Sequence, residues 1–168
     1  MGLGIGFISE DRKETGLVLS STVKNNITLS ALSICSNNRF IDRKKEAGIA
    51  DEQIRKFNIK TPGRNQSVNY LSGGNQQKVV LAKVLLRDPE VIIFDEPTRG
   101  IDIGAKAEIY KMMTALTASG KAIIMISSEL PEVLGMSDRI LVVREGKISK
   151  ELKAEEATQE LIMEYAME

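Results

Sequence analysis

Apolar residues recur along this chain with two periods, one typical of buried strands and one typical of helices. Short apolar runs predict strands over residues 4–8, 91–94, 122–126, 140–143 and 147–152. Helical spacing predicts helices over residues 23–32, 43–57, 71–86, 104–118, 129–134 and 157–167. From residue 71 onward strands alternate with helices, which predicts an α/β fold with a mostly parallel sheet. Residues 14–70 are interpreted as a helical insertion.

Residues that favour element ends support these assignments. Thr22, Asp42 and Ser128 are each placed to cap the helix that follows. Glu145 and Gly146 predict a turn between the last two strands, and residues 9–13 predict a charged loop. The runs at 91–94 and 122–126 are continuous in apolar residues, which is typical of strands buried on both faces.

Charge and cysteine content exclude several classes of function. Lysine plus arginine number 23, as do aspartate plus glutamate, and this balance argues against a nucleic-acid partner. One cysteine, Cys35, and no histidine leave neither an internal disulfide nor a zinc cluster to be expected. No apolar run approaches about 18 residues, so we expect no membrane span and a cytosolic location. A core strand almost at the first residue predicts that the sequence starts inside a fold.

An apolar run ends in two adjacent carboxylates, Asp95 and Glu96. In open α/β sheets, ligands lie at the carboxyl ends of strands. One carboxylate could hold Mg²⁺ and the other could orient or deprotonate an attacking water. A strand that simply ends in a solvated acidic turn is an equally good interpretation of these residues alone.

A helix start with paired glycines is the second candidate site. Gly73 and Gly74 would let the backbone approach a ligand closely, and the N–H groups of the following helix favour an anion. Ser72 adds a hydroxyl that could cap the helix or contact a phosphate. Considered alone, a capped helix start after a flexible loop explains this pattern equally well.

In this order and spacing, the two sites resemble the ABC ATPase family over essentially the whole chain. Residues 71–75, LSGGN, resemble the signature motif, residues 91–95 the Walker B strand with Glu96 as the following catalytic glutamate, and residues 98–102 the D-loop. Residues 5–10 resemble the strand and Q-loop, and residues 22–27 the helix start after it. The runs SEDRK, NQQK, RGIDIGAK and SSELPEV are similar to the second cassette of ribose- and galactose-type importers.

The resemblance implies a partial P-loop NTPase-like domain and a role for each site residue. Residues 1–13 would be the core strand and Q-loop, 14–70 the helical subdomain, 71–152 the RecA-like core and 153–168 a C-terminal helix. Glu96 and Ser128 would be catalytic, and Asp95 and Glu10 would face the metal. The residues implied in nucleotide binding are Leu71, Ser72, Gly73, Gly74, Asn75, Gln76 and Asp102.

Three departures from the family pattern qualify the resemblance. A phosphate-binding loop needs two glycines five positions apart followed by Lys and Ser or Thr, and no two glycines here have that spacing. We therefore expect the loop, and a first cassette, to precede residue 1. Glu10 replaces the Q-loop glutamine, and Ser128 replaces the switch histidine, as in the importer subfamily. A hydroxyl cannot hold a proton near neutral pH as imidazole can, and Ser128 could instead be only a helix cap.

The function implied is the ATP-hydrolysing subunit of a sugar importer, with ATP and Mg²⁺ as cofactors. Its implied partners are the other ATPase cassette, the transmembrane permease subunits and, indirectly, an external sugar-binding protein, but no nucleic acid. It would lie peripherally on the cytoplasmic face of the membrane, with residues 10–13 as a coupling hinge. The alternatives are a soluble ABC ATPase of DNA repair or translation, and a binding or scaffold half that cannot hydrolyse ATP alone.

Overall fold

A computed structural model describes residues 4–37 and 40–167 of the chain. Its α-helices are α1 (Val23–Thr28), α2 (Arg43–Lys56), α3 (Gly73–Leu85), α4 (Ile103–Ala118), α5 (Leu130–Met136) and α6 (Gln159–Met167). Its strands are β1 (Ile5–Ile8), β2 (Ser36–Asn37), β3 (Phe40–Ile41), β4 (Val91–Asp95), β5 (Ala122–Ile126), β6 (Arg139–Arg144) and β7 (Lys147–Lys153). The predicted strands and helices are all present, with small shifts at their ends.

The chain divides into two compact units, Met1–Ile124 and Met125–Glu168. In the described part of the first unit, β4 is the central strand between β1 and β5, and β1 pairs with β4 in parallel. The helix α3 packs on β1, and α1 packs on both α2 and α3. Helices α1 and α2 therefore rest on the same helix that covers the sheet.

The two faces of this sheet differ in burial. Ile8, Ile92 and Phe94 are fully buried on one face, together with the apolar side of α3. On the other face of β1, Ile5 and Phe7 are 55% and 54% exposed, although they pair with Val91 and Ile93. The prediction that residues 122–126 form a buried strand is wrong, because Ile124 is also half exposed.

The second unit is an antiparallel hairpin covered by helices. β6 and β7 pair with each other, so the predicted parallel series does not extend to them. Their two-residue turn, Glu145 and Gly146, has positive φ at both positions, as the predicted tight turn requires. The buried core of this unit consists of Ile140, Val142, Leu152 and Ile162, packed against α5 and α6.

Capping side chains fix several helix starts. The hydroxyl of Thr22 accepts a hydrogen bond from the Asn25 N–H, and the Asp42 carboxylate accepts from the N–H groups of Lys44 and Lys45, so both predicted caps are confirmed. The predicted Ser128 cap is wrong. Glu129 occupies the N-cap position of α5, and its N–H donates to the hydroxyl of Ser127 instead.

The predicted charged loop at residues 9–13 is also shorter than expected. Arg12–Gly16 forms one turn of π-helix, because the Asp11 carboxylate accepts hydrogen bonds from the N–H groups of Lys13 and Glu14. In the described residues no helix is both long and apolar enough to span a bilayer.

Candidate functional site

The start of α3 is held by Asn75 and not by a serine cap. Ser72 stands at the N-cap position, yet its side chain accepts no hydrogen bond from a backbone N–H of the helix. Its hydroxyl is 2.9 Å from Asn75 Nδ2, and Asn75 Oδ1 accepts a hydrogen bond of 2.7 Å from the Lys60 N–H. The first three N–H groups of a helix have no acceptor within the helix, so this end suits an anion.

Leu71 and Gln76 anchor this segment on the residues that precede it. The Leu71 N–H donates to the carbonyl of Val68 (3.0 Å), and the buried side chain of Gln76 donates to the same carbonyl (3.2 Å). These two residues therefore contact their own chain and set the entry angle of the helix.

Both glycines of this segment are required by close packing inside the chain. A Cβ at Gly74 would lie 2.8 Å from the Cβ of Ala105 at the start of α4. A Cβ at Gly73 would lie 2.8 Å from Arg12 Nη2 and 3.3 Å from the carbonyl oxygen of Gly100. The sequence pattern suggested close approach to a ligand, and the structure adds an approach to neighbouring segments.

The tip of β4 carries the two predicted carboxylates in different backbone environments. Asp95 is the last residue of the strand and is half-buried. Glu96 follows with φ of 46°, a left-handed conformation that costs a non-glycine residue about 1–2 kcal/mol. Such strain persists where the surrounding structure imposes it, often at functional sites. Here Pro97 and Thr98 are buried directly after it.

The turn that follows joins this tip to the rest of the site. Arg99 forms an ion pair with Glu10, the residue two positions after β1. Gly100 has φ of 67°, and Asp102 then caps α4 through a 2.9 Å hydrogen bond from the Ala105 N–H. Glu10 thus contacts an arginine in this structure, and Asp102 has a structural role as a helix cap.

Lys78 is a buried cation that the sequence analysis assigned no role. Its side chain is only 5% exposed, and its Nζ lies 3.0 Å from the Asn58 carbonyl oxygen and 2.5 Å from a carboxylate oxygen of Glu108. The hydrogen bond from Lys78 lowers the pKa of Glu108. Lys78 therefore connects the end of α2 to both α3 and α4. The available signal was a cation next to a buried apolar run, residues 79–82.

The structure brings the start of α3 close to the turn that follows the acidic strand tip. The loop after Asp95 and Glu96 passes close to Gly73, because a Cβ at that glycine would lie 3.3 Å from the Gly100 carbonyl oxygen. Ser128 belongs to the second unit and lies between β5 and α5.

The chemistry of these groups suits a phosphate ligand with a loosely held hard cation. Among the described residues there is no cluster of three His, Cys, Asp or Glu side chains that could hold a metal. Mg²⁺ usually takes only one or two protein carboxylates and completes its shell with water and phosphate oxygens, so Asp95 fits that requirement. The start of α3 offers backbone N–H groups to phosphate oxygens.

Several known proteins are similar to this chain in sequence. A family model described as ABC transporter matches residues 3–99. The ribose import ATP-binding protein RbsA of Clostridium perfringens is 57% identical over 98% of this chain and 33% of its own length. RbsA of Bacillus subtilis is 56% identical over 97% of this chain and 33% of its own length. A putative ribose/galactose/methyl galactoside import ATP-binding protein of Burkholderia ambifaria is 55% identical over 97% of this chain and 32% of its own length.

A solved structure is similar to this chain in fold. A dimeric, post-hydrolysis structure of the ATP-binding cassette MJ0796, bound to ADP and Pi, superposes with a TM-score of 0.73 over 89% of this chain and 62% of that one, at 24% identity. The predicted fold class is thereby confirmed. The chain spans about a third of the length of the curated relatives it matches. Because the family model covers residues 3–99 of 168, the chain belongs to the ABC transporter family.

Proposed function

We propose that this chain is the distal part of a cassette in the ATP-hydrolysing subunit of a ribose- or galactose-type sugar importer. Relatives that carry those names are 54–57% identical over nearly all of its length. The observation that carries the proposal is the contact between the start of α3 and the loop that follows Asp95 and Glu96. The start of α3 and the loop after the acidic strand tip therefore lie close together, which supports the proposal.

The proposed mechanism divides the site residues between two nucleotides held between paired cassettes. Ser72, Gly73 and Gly74 would present backbone N–H groups and a hydroxyl to the γ-phosphate of the nucleotide held by the partner cassette. Asp95 would hold Mg²⁺ in its own cassette, and Glu96 would orient or deprotonate the attacking water. The bound metal would supply charge neutralisation at the phosphates. Asp102 and its turn would face the partner cassette.

Two residues have more limited proposed roles. Glu10 would face the metal only after it leaves Arg99, since the two side chains form an ion pair. Ser128 would replace the histidine of the wider family as a hydroxyl beside the phosphates, without proton storage.

The first test compares two glutamates at opposite ends of β4. In the intact protein, Glu96→Gln should lower the maximal rate of ATP hydrolysis by about 10²–10⁴-fold, the range for loss of a general base. Glu90→Gln, the same chemical change before β4, should leave the rate unchanged. Ribose uptake by cells that lack the gene should be restored by the Glu90 variant but not by the Glu96 variant. Equal rates for the two variants would refute the assignment of Glu96.

A groove in the helical insertion supports the proposed contact with the permease. Its volume is about 730 Å³, and the apolar side chains of Val18, Leu29, Phe40 and Ile41 are exposed along it. Such a surface suits an apolar helix of a membrane subunit. Phe40→Asp should abolish co-purification with the membrane subunits and leave ATP binding intact, whereas Ile148→Asp, at another exposed apolar position in the second unit, should preserve co-purification. Loss of ATP binding in the Phe40 variant would contradict this role.

We also propose that the 168-residue chain alone does not hold ATP. No glycine-rich loop followed by Lys and Ser or Thr occurs in it, and that loop is the main phosphate cradle of P-loop enzymes. Titration of the purified chain with a fluorescent ATP analogue should therefore show no micromolar binding. Micromolar binding and turnover by this chain alone would refute the proposal. The importer proposal predicts no binding to duplex DNA or RNA at physiological salt.

A further inference from the structure

Arg12 reaches from the turn after β1 to a distant part of the chain. Its Nη1 donates to the carbonyl of Arg99 at 3.1 Å, and its Nη2 donates to the carbonyl of Gly100 at 3.4 Å. The two acceptors are 87 and 88 residues away in the sequence. One guanidinium thus fixes the orientation of two successive peptide groups.

The same guanidinium lies against the start of α3. Because a Cβ at Gly73 would be 2.8 Å from Arg12 Nη2, any larger residue there would displace the arginine or the helix. Arg12 Nε is buried and has no hydrogen-bond partner within the described part of the chain. An arginine side chain that was free to move could satisfy its Nε with water. Because Nε is buried without a partner, we infer that packing between the start of α3 and the turn at residues 99–100 holds the Arg12 side chain in place.

A second contact joins the same two segments. Glu10 forms an ion pair with the side chain of Arg99, while Arg12 binds the carbonyl of Arg99. Residues two positions apart thus hold both the side chain and the backbone of Arg99. Two residues that follow β1 therefore hold the turn at residues 99–100 in place.

We propose that Arg12 is a positioning residue that fixes the start of α3 to the turn at residues 99–100. This inference rests on the proposed function, in which the start of α3 faces the partner's nucleotide and the strand tip before the turn faces the chain's own. Arg12 would make those two segments move as one body. A planar fork with several donors is needed for this, because a lysine ammonium is a point charge on a flexible stem.

The first test measures ATP hydrolysis by the intact protein against nucleotide concentration. Arg12→Ala and Arg12→Lys should each lower kcat by at least about tenfold, since small misplacement of a site costs up to about 100-fold. The half-saturating ATP concentration should change less than about threefold. Lys111→Ala, which removes an exposed cation on α4, should match the parent. A parental kcat in the Ala variant, or restoration of kcat by lysine, would overturn the proposal.

The second test needs no nucleotide and separates this inference from the proposed function. Hydrogen–deuterium exchange of the nucleotide-free protein should become faster at residues 73–76 and also at residues 99–101 in both Arg12 variants. Exchange in α2 should stay at the parental rate. Acceleration in only one of the two segments, or in neither, would overturn the proposal. If the parent protein hydrolyses no ATP, the proposed function fails, and exchange alone decides the role of Arg12.

Discussion

Replacement of Gly74 by alanine is a sharp test of how α3 meets α4. The new Cβ would lie 2.8 Å from the Ala105 Cβ, whereas ordinary contacts begin near 3.4 Å. Both atoms are fixed to helix backbones, so no side-chain rotation can relieve the contact. The two helix starts would have to separate by about 0.6 Å.

The expected free-energy change combines two effects of opposite sign. Overpacking of this kind costs about 1–3 kcal/mol. The exchange of glycine for alanine in a helix gains about 0.5–1 kcal/mol, and less in the first turn. We therefore expect Gly74→Ala to lower the free energy of unfolding by about 1–2 kcal/mol.

Gly48 provides a matched control in the exposed interior of α2. A Cβ at Gly48 would have no atom within 4 Å, so Gly48→Ala should stabilise the protein by about 0.5–1 kcal/mol. The double variant Gly74→Ala with Ala105→Gly should recover most of the loss, because it moves the single methyl group to the other helix.

Urea unfolding of Gly74→Ala, Gly48→Ala, Ala105→Gly, the double variant and the parent, followed by circular dichroism, measures these differences. Two results would refute the reasoning: stabilisation by Gly74→Ala equal to that by Gly48→Ala, or additive effects of Gly74→Ala and Ala105→Gly. Additivity would mean that the two residues are not in contact.

Three further predictions concern stability. Asp42→Ala should destabilise the protein by about 1 kcal/mol, because two N–H groups of α2 lose their acceptor, as urea unfolding would show. Phe94→Ala should cost about 3–5 kcal/mol, since Phe94 is fully buried, while Val91→Ala on the partly exposed face should cost less. The pKa of Glu108 is lowered by Lys78, so the contribution of this carboxylate to stability is fully present above pH 4.5 and is lost as pH falls through its lower folded pKa. Glu108→Gln should thus be less stable than the parent by at most about 1 kcal/mol at neutral pH, and unfolding at a series of pH values should show this gap closing in acid.

Each of these predictions has its own control. Asp42→Asn should keep most of the stability, because asparagine caps helices as well as aspartate does. Equal losses for the two Asp42 variants would exclude capping as the cause. Equal costs for the Phe94 and Val91 variants would contradict the difference in burial between the two sheet faces. A gap between Glu108→Gln and the parent that stays constant to pH 3 would exclude the ion pair with Lys78.

The fold could be predicted from sequence wherever local chemistry decides it. Thr22 and Asp42 cap helices because their side chains reach N–H groups two or three residues ahead, and such contacts can be inferred from the sequence. The turn at Glu145 and Gly146 is equally local. The prediction that Ser128 caps a helix was wrong because the hydroxyl of Ser127, one residue earlier, accepts the hydrogen bond at the start of α5. The prediction that residues 122–126 are buried was wrong because an apolar run predicts a strand but does not show which faces of that strand are covered.

The candidate site was also predictable from sequence only where neighbouring residues form it. The helix start at Ser72 and the acidic tip at Asp95 are continuous in sequence and could be predicted as motifs. The contact of Arg12 with Gly73, and that of Lys78 with Asn58, join segments that are about 61 and 20 residues apart, and no local pattern marks them. Paired glycines are needed for close approach to a ligand and equally for close packing against a neighbouring segment. The sequence alone therefore cannot show that Gly73 and Gly74 pack against other parts of the chain.

The bare side of β1 has a consequence for handling the protein. Ile5 and Phe7 are more than half exposed to water, although the opposite face of the same strand is fully buried. They therefore form an apolar surface patch that favours association between molecules. Sulfate and other strongly excluded salts strengthen the burial of such surfaces, so they should promote reversible clustering, visible as light scattering well below the denaturation temperature. Crystals grown from ammonium sulfate should accordingly favour lattices in which the Ile5 and Phe7 patches of neighbouring molecules contact each other.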